Sequence, residues 1–221
     1  MSARLDGKVV LITGATSGIG AATVDLVRER GGIAVATDKT AGADYLLDVT
    51  APNQWDKVIA SVVARQGRID GLVSNAGSGH AGSIVDLDMT DFRALTRVIV
   101  EGAFIGIQKV VAQMRMQNNP AQGAIVIASS IAGSIAFPGT AAYGATNAAI
   151  SNMAKAIGVE LGRKGDFIRV NAVAPSPVRT PLVSGVIEAE DVAETIIFLL
   201  SDDASFMTAT INPIGGGWQL P

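Results

Sequence analysis

The stretch KVVLITGATSGIG, residues 8–20, decides how the rest of the chain is read. Its first six residues form an unbroken, largely β-branched apolar run with no polar alternation. Such a run fits a strand buried on both faces, as in a parallel sheet covered by helices. Gly14 ends the run, and Gly18 and Gly20 follow around Thr16, Ser17 and Ile19. Three glycines there permit a tight turn, close backbone approach to a pyrophosphate, and close helix–strand packing. The N-terminus of the next helix then faces the phosphates. A glycine pattern alone says little. Here a strand precedes it and a helical pattern over 18–30 follows, which is the context that gives it meaning.

Working outward, strands are expected at 33–37, 45–47, 69–74, 123–128, 168–173 and 210–214. Helices are expected at 18–30, 52–65, 90–117, 140–164 and 189–200, with Pro52 in a starting position. Strand and helix alternate, and the strands are hydrophobic. The expected fold class is α/β: a Rossmann-type doubly wound parallel sheet of about seven strands, with helices on both faces. No repeat or linker divides the chain, so residues 1–221 are expected to form a single dinucleotide-binding domain.

Asp38 ends the second strand, eighteen residues after Gly20. A carboxylate there accepts hydrogen bonds from both hydroxyls of an adenosine ribose and repels a 2′-phosphate. NAD(H) is therefore expected over NADP(H).

Composition narrows the partners. The chain is 48% hydrophobic, with a mean hydropathy of +0.38, which fits a large core and a buried subunit interface. No apolar run reaches membrane-spanning length, and the N-terminus lacks a signal-peptide layout, so a cytoplasmic protein with no membrane partner is expected. A net charge of −3 disfavours nucleic acid. The absence of cysteine excludes thiol catalysis and disulfides, and a single histidine, His80, argues against a transition-metal site.

Further motifs resemble those of the short-chain dehydrogenase/reductase family, over nearly the whole chain. TGATSGIG (13–20) is similar to its TGxxxGxG cofactor loop, Asp48-Val49 to its adenine-contacting pair, and SNAG (74–77), with Asn75, Ala76 and Gly77, to its NNAG. Ser130 stands thirteen residues before Tyr143, the family's spacing of catalytic serine and tyrosine. APSPVRTP (174–181) resembles its PGxVxT segment, and the resemblance implies that Pro175, Val178 and Thr180 hold the nicotinamide end. It also implies association as a homotetramer or dimer through the two long helices.

Two departures matter. The family's tyrosine is followed four residues later by lysine, where this chain has Asn147. Aligning Gly102 and Phe104 with the family's NLxGxF segment puts Ile99 where a catalytic Asn would be. In the mechanism that the resemblance implies, tyrosine exchanges a proton with the substrate oxygen, serine holds that oxygen, and lysine holds the ribose and acidifies the tyrosine. An amide at 147 can bond a ribose hydroxyl but carries no charge to stabilise phenolate. Lys155 is eight residues, about 12 Å of helix, beyond it. His80, three residues after the SNAG glycine, is a candidate acid or base that also reads as an ordinary loop residue. Glu101 is expected to face solvent or a neighbouring subunit.

Two connections are short. Nine residues separate Asp38 from Asp48, where the family has a helix, and nine separate Thr180 from Glu190, where it has a longer substrate flap. The expected function is an NAD(H)-dependent oxidoreductase acting on an alcohol/ketone pair, with weakened catalysis. Ile131 and Phe137 suggest a hydrophobic small-molecule substrate. The alternative is a catalytically inactive NAD-binding partner or scaffold, in a hetero-oligomer with an active paralogue. A non-redox use of the Ser130–Tyr143 pair ranks last, because relatives of that kind lose the nucleotide loop that this chain keeps.

Overall fold

The computed structural model describes residues 3–79, 81–117, 121–178 and 186–217. The opening run becomes β1 (Val9–Thr13), with every residue buried. Six more strands join it: β2 (Ile33–Asp38), β3 (Tyr45–Leu46), β4 (Gly71–Ser74), β5 (Gln122–Ala128), β6 (Phe167–Pro175) and β7 (Ile211–Ile214). They form one sheet in the order β3-β2-β1-β4-β5-β6-β7, parallel throughout. Helices α1 (Gly18–Glu29), α2 (Pro52–Gln66), α3 (Met89–Thr96), α4 (Gly102–Gln117), α5 (Ala141–Arg163) and α6 (Ala189–Leu200) cover it. The expected seven-stranded, doubly wound α/β fold is therefore observed. Among the described residues no helix is long and apolar enough to cross a membrane.

Strand alternation divides the core in two. Val9, Leu11, Leu72, Ile125 and Ile127 point to the α2/α4/α5 face, where Trp55, Ile107 and Ile150 meet them. Val10, Ile12, Val73 and Val126 point to the other face, against Val27 of α1 and Ile196 and Ile197 of α6. Both faces of each central strand are buried, which is why these strands read as continuous apolar runs.

The long helical pattern after residue 90 is not one α-helix. A π-helical turn, Arg97–Glu101, separates α3 from α4 and holds the buried Ile99. Apolar periodicity continues through such a turn, so the sequence gives no warning of it. The helix starts at Met89, one residue earlier than expected, capped by Asp88, whose carboxylate accepts the Thr90 N–H at 2.6 Å.

The short 38–48 connection carries only β3. Just before β3, Asp44 Oδ2 accepts the Ala36 N–H at 2.9 Å, a side chain doing the work of a neighbouring strand. At the opposite edge β7 has an exposed Pro213 in its ladder.

Asn171 on β6 fastens the chain leading into β7. Its Oδ1 accepts from the Thr210 N–H at 3.1 Å and the Thr210 hydroxyl at 2.8 Å, and its Nδ2 donates to the Met207 carbonyl at 2.8 Å. Within this clasp Ala209 has φ +60°, the only positive φ of a non-glycine among the described residues. A Cβ in that region costs about 1–2 kcal/mol. Glycine would remove the cost and lose some of it to a more flexible unfolded chain. Ala209→Gly is expected to stabilise the protein by about 0.5–1 kcal/mol, read as a rise of about 2–4 °C in the thermal unfolding midpoint.

Candidate active site

The strand order reverses between β1 and β4, and a crevice opens at their carboxyl ends, the place where ligands bind in sheets of this kind. Its base is a knot between the two strand exits. The Thr13 hydroxyl accepts both the Asn75 and Ala76 N–H groups at 3.0 Å. The Asn75 amide donates to the carbonyls of Thr13 at 3.0 Å and Gly14 at 3.1 Å. At Gly14 and Gly20 the loop has no room for side chains. A Cβ on Gly20 would lie 2.0 Å from the Gly14 carbonyl oxygen, and one on Gly14, at φ +65°, 2.9 Å from Ala76 Cα. The result is a backbone cradle at the start of α1, where Ser17 makes no side-chain cap.

Two cavities adjoin along Asn75–Ser78. The first, of about 340 Å³, is lined by Gly14, Thr16, Ser17, Asp38, Asp48, Val49, Ala76 and Gly77 among others. The second, of about 300 Å³, runs past Ile19 and Ile99 to Ser129, Tyr143 and Asn147.

Asp38 is fully engaged in this structure. Its Oδ2 accepts from the Thr16 N–H (3.2 Å) and hydroxyl (2.7 Å), its Oδ1 from the Thr40 N–H (3.2 Å) and hydroxyl (3.0 Å). Burial pushes its carboxyl pKa up, but these bonds together outweigh burial and hold it below the usual carboxylate range. Asp48 is held low chiefly by the Thr50 N–H and hydroxyl, with Arg97 and Lys39 adding positive charge nearby. Behind it, Val49 is fixed by the buried Trp55, whose indole donates to the Val49 carbonyl at 2.9 Å.

The second cavity is built on α5. The segment after β5 packs directly on this helix. A Cβ on Gly133 would lie 2.8 Å from the Asn147 carbonyl carbon, and one on Gly144 2.7 Å from the Ala132 carbonyl oxygen. Ser130 opens the one-turn 3₁₀ segment Ile131–Gly133, and its Oγ accepts the Ala132 N–H at 3.2 Å. That bond uses a lone pair and leaves the hydroxyl hydrogen free among the described residues. Tyr143 packs its ring on the α4/α5 core, and its hydroxyl has no hydrogen-bond partner among the described residues.

Asn147 is 2% exposed, and its Nδ2 donates to the Tyr143 carbonyl, one turn back on its own helix, at 2.8 Å. One of the two amide hydrogens is thus used on the backbone, and the side chain lines the second cavity. The sequence does not foretell this back-bonding. Glu101 and Lys155 are exposed.

Several expectations are refined. Ile131 is 3% exposed and belongs to the interior, so it does not report on a substrate. Phe137 lines a separate groove of about 700 Å³ between residues 82–84 and α5. Gly18 and Gly20 shape the loop from behind. Val178 packs with Ile19 on the small cluster of Ala22, Ala189 and Ala193, and Pro175 ends β6. Thr180, His80 and most of the 180–190 connection lie outside the described residues. Sequence reasoning missed Thr13 and Ser129. Ser129 lines the second cavity, and its buried hydroxyl donates to the Asn147 carbonyl at 3.1 Å and pairs with Ser151 Oγ at 2.7 Å, tying β5 to α5. Two adjacent serines just past the end of β5 are the only sequence signal for it. Among the described residues no cluster suited to a metal ion occurs.

Comparison with known proteins agrees with this architecture. The short chain dehydrogenase family profile matches residues 8–191. The 3-oxoacyl-(acyl-carrier-protein) reductase FabG of Thermotoga maritima is 37% identical, over 97% of this chain and 98% of its own. A 3-alpha-(or 20-beta)-hydroxysteroid dehydrogenase of Mycobacterium tuberculosis is 33% identical, over 98% and 91%. The crystal structure of levodione reductase superposes with a TM-score of 0.89 at 27% identity, covering 98% of this chain and 99% of that one. With a profile match across most of its length and relatives aligned nearly end to end, this chain belongs to the short-chain dehydrogenase/reductase family of oxidoreductases.

Proposed function

We propose that the chain is an NAD(H)-dependent oxidoreductase for an alcohol/ketone pair, with turnover slowed by its own substitutions. The observation that supports this most directly is the joined pair of cavities, which leads from Asp38 across the glycine cradle to Tyr143. The cradle fits a pyrophosphate, because the glycine loop leads straight into the N-terminus of α1, whose first N–H groups carry no side-chain cap. When bound, the nicotinamide supplies or receives a hydride at the substrate carbon.

The protein's part follows from its side chains. Asp38 accepts the hydroxyls of the adenosine ribose. A carboxylate offers about four acceptor positions, and Thr16 and Thr40 fill four in this structure. Ribose binding therefore exchanges the two threonine hydroxyls for the diol, while the two backbone N–H bonds stay. Ser130 donates its free hydrogen to the substrate oxygen. Tyr143 gives that oxygen a proton in reduction, or takes one in oxidation. Asn147, through Oδ1, accepts from a hydroxyl on the nicotinamide side but brings no positive charge. Ile99 makes the adjacent wall apolar, so no proton route runs through it. Losing one aligned electrostatic group costs about 10²- to 10³-fold in rate. The substrate is a small carbonyl or alcohol compound, and the subunits associate as a dimer or tetramer in the cytoplasm.

Asn147→Lys should raise NADH-dependent reduction of a ketone panel by at least about tenfold, and Tyr143→Phe in that background should abolish the gain. Tight NADH binding with no turnover in the parent or in Asn147→Lys would instead indicate a cofactor-holding partner protein.

Asp38 also links the site to pH. Its folded-state pKa is depressed, so its contribution to stability is present above the unfolded value, about 3.9, and is lost as pH falls through the folded value. Asp38→Asn should flatten the loss of stability between about pH 5 and pH 3 in chemical denaturation. The same variant should weaken NADH binding about tenfold in calorimetry.

A further inference from the structure

The carboxylate at the end of β2 is met by two hydroxyls arranged as a vicinal diol would be. Thr16 Oγ donates to Asp38 Oδ2 at 2.7 Å and Thr40 Oγ to Oδ1 at 3.0 Å, and the two hydroxyl oxygens stand 3.1 Å apart. A hydroxyl has a single hydrogen, and here both hydrogens are directed to the carboxylate. Each carboxylate oxygen thus receives one O–H from oxygens that stand side by side, as it would from the 2′ and 3′ hydroxyls of a ribose.

The two threonines reach this point from different elements. Thr16 lies in the glycine loop after β1, and Thr40 in the shortened connection after β2. Pairing of Thr13 with Thr37 brings the two strand exits together. The backbone N–H groups of both threonines also donate to Asp38, each at 3.2 Å, so the carboxylate keeps two anchors without the hydroxyls. Thr16, Asp38 and Thr40 all line the first cavity, which puts the clasp inside the space a ligand would enter. A diol that takes up Asp38 has to break the two hydroxyl bonds first, and the bonds it forms are of the same kind as those it breaks.

We propose that the Thr40 hydroxyl, together with that of Thr16, is an internal stand-in for the adenosine ribose and sets cofactor affinity by competing with the diol for Asp38. This rests on the NAD(H) reading given above and adds a sign to it: a polar side chain in the cofactor cavity weakens binding instead of supporting it. Thr40 is a positioning residue, which holds the carboxylate in the free protein and gives it up to the ribose. A ligand without the diol displaces nothing and does not sense Thr40.

The test uses the full chain, unmodified, as Thr40→Val and as Thr40→Ser, titrated in a calorimeter with NADH, ADP and 2′,3′-dideoxy-ADP. Valine has the shape of threonine and keeps the backbone N–H bond to Asp38. NADH and ADP should bind Thr40→Val about three- to tenfold more tightly, the contribution of one hydrogen bond that no longer has to be broken. Thr40→Ser, which restores the hydroxyl, should bind both as the unmodified chain does. The dideoxy compound should not distinguish the three proteins. Equal or weaker NADH binding by Thr40→Val would overturn the proposal and leave the cofactor reading standing. So would the same gain in Thr40→Ser, or an equal gain for 2′,3′-dideoxy-ADP, since either would trace the change to something other than the hydroxyl and the diol. Failure of the unmodified chain to bind NADH and ADP would overturn both the proposal and the reading beneath it.

Discussion

Everything in this molecule that can bind or react depends on one junction, where the exits of β1 and β4 are tied together. Thr13 receives two backbone N–H groups from the opposite strand end, and Asn75 returns two bonds to the Thr13 and Gly14 carbonyls. Parallel strands that diverge at their carboxyl ends leave backbone groups without ladder partners. Here those groups are satisfied by two side chains, and the glycine loop is pressed so close that Gly20 faces the Gly14 oxygen with no space for a methyl group. The crevice is therefore fixed before any ligand arrives. Asn75 falls in a stretch whose resemblance suggests cofactor contact, yet its amide is occupied with holding the loop in shape.

The second constraint is the contact between the serine segment and α5. Glycines at 133 and 144 allow backbone to meet backbone, and Ser129 adds a hydrogen-bonded bridge to the middle of the helix. The register of Ser130 against Tyr143 is set by these contacts, which use the backbone of residue 147 and not its side chain. That independence explains how the chain can lack the lysine and retain the geometry around it. Asn147 fits the space by turning its donor onto its own helix, a choice open to an amide and closed to a charged amine that needs several acceptors.

Much of the fold was legible in the sequence because both of its signals are local. Buried parallel strands announce themselves as unbroken apolar runs such as VVLIT, and the glycine spacing marks the first strand-to-helix turn. Less legible was whatever depends on partners distant in sequence. The π turn at Arg97–Glu101 leaves the apolar rhythm of the helix intact. Nothing in the dipeptide at 129–130 says that the first hydroxyl is the one that ties β5 to α5. Ile131 looks like a pocket residue by its neighbourhood in sequence, but the 3₁₀ turn it opens places it in the interior. Asp38 was readable as an acceptor at the end of β2, though not as one already saturated by Thr16 and Thr40, since Thr16 belongs to the glycine loop and reaches it only through the pairing of β1 with β2.

That shortened connection has a consequence at the rim of the sheet. Because it leaves β3 only two residues long, one edge presents very few unpaired backbone groups. The other edge, β7, carries Pro213, which has no N–H to offer an incoming strand. Both margins are thus poor templates for strand addition. A protein this apolar is thereby protected from growing its sheet into a neighbour's.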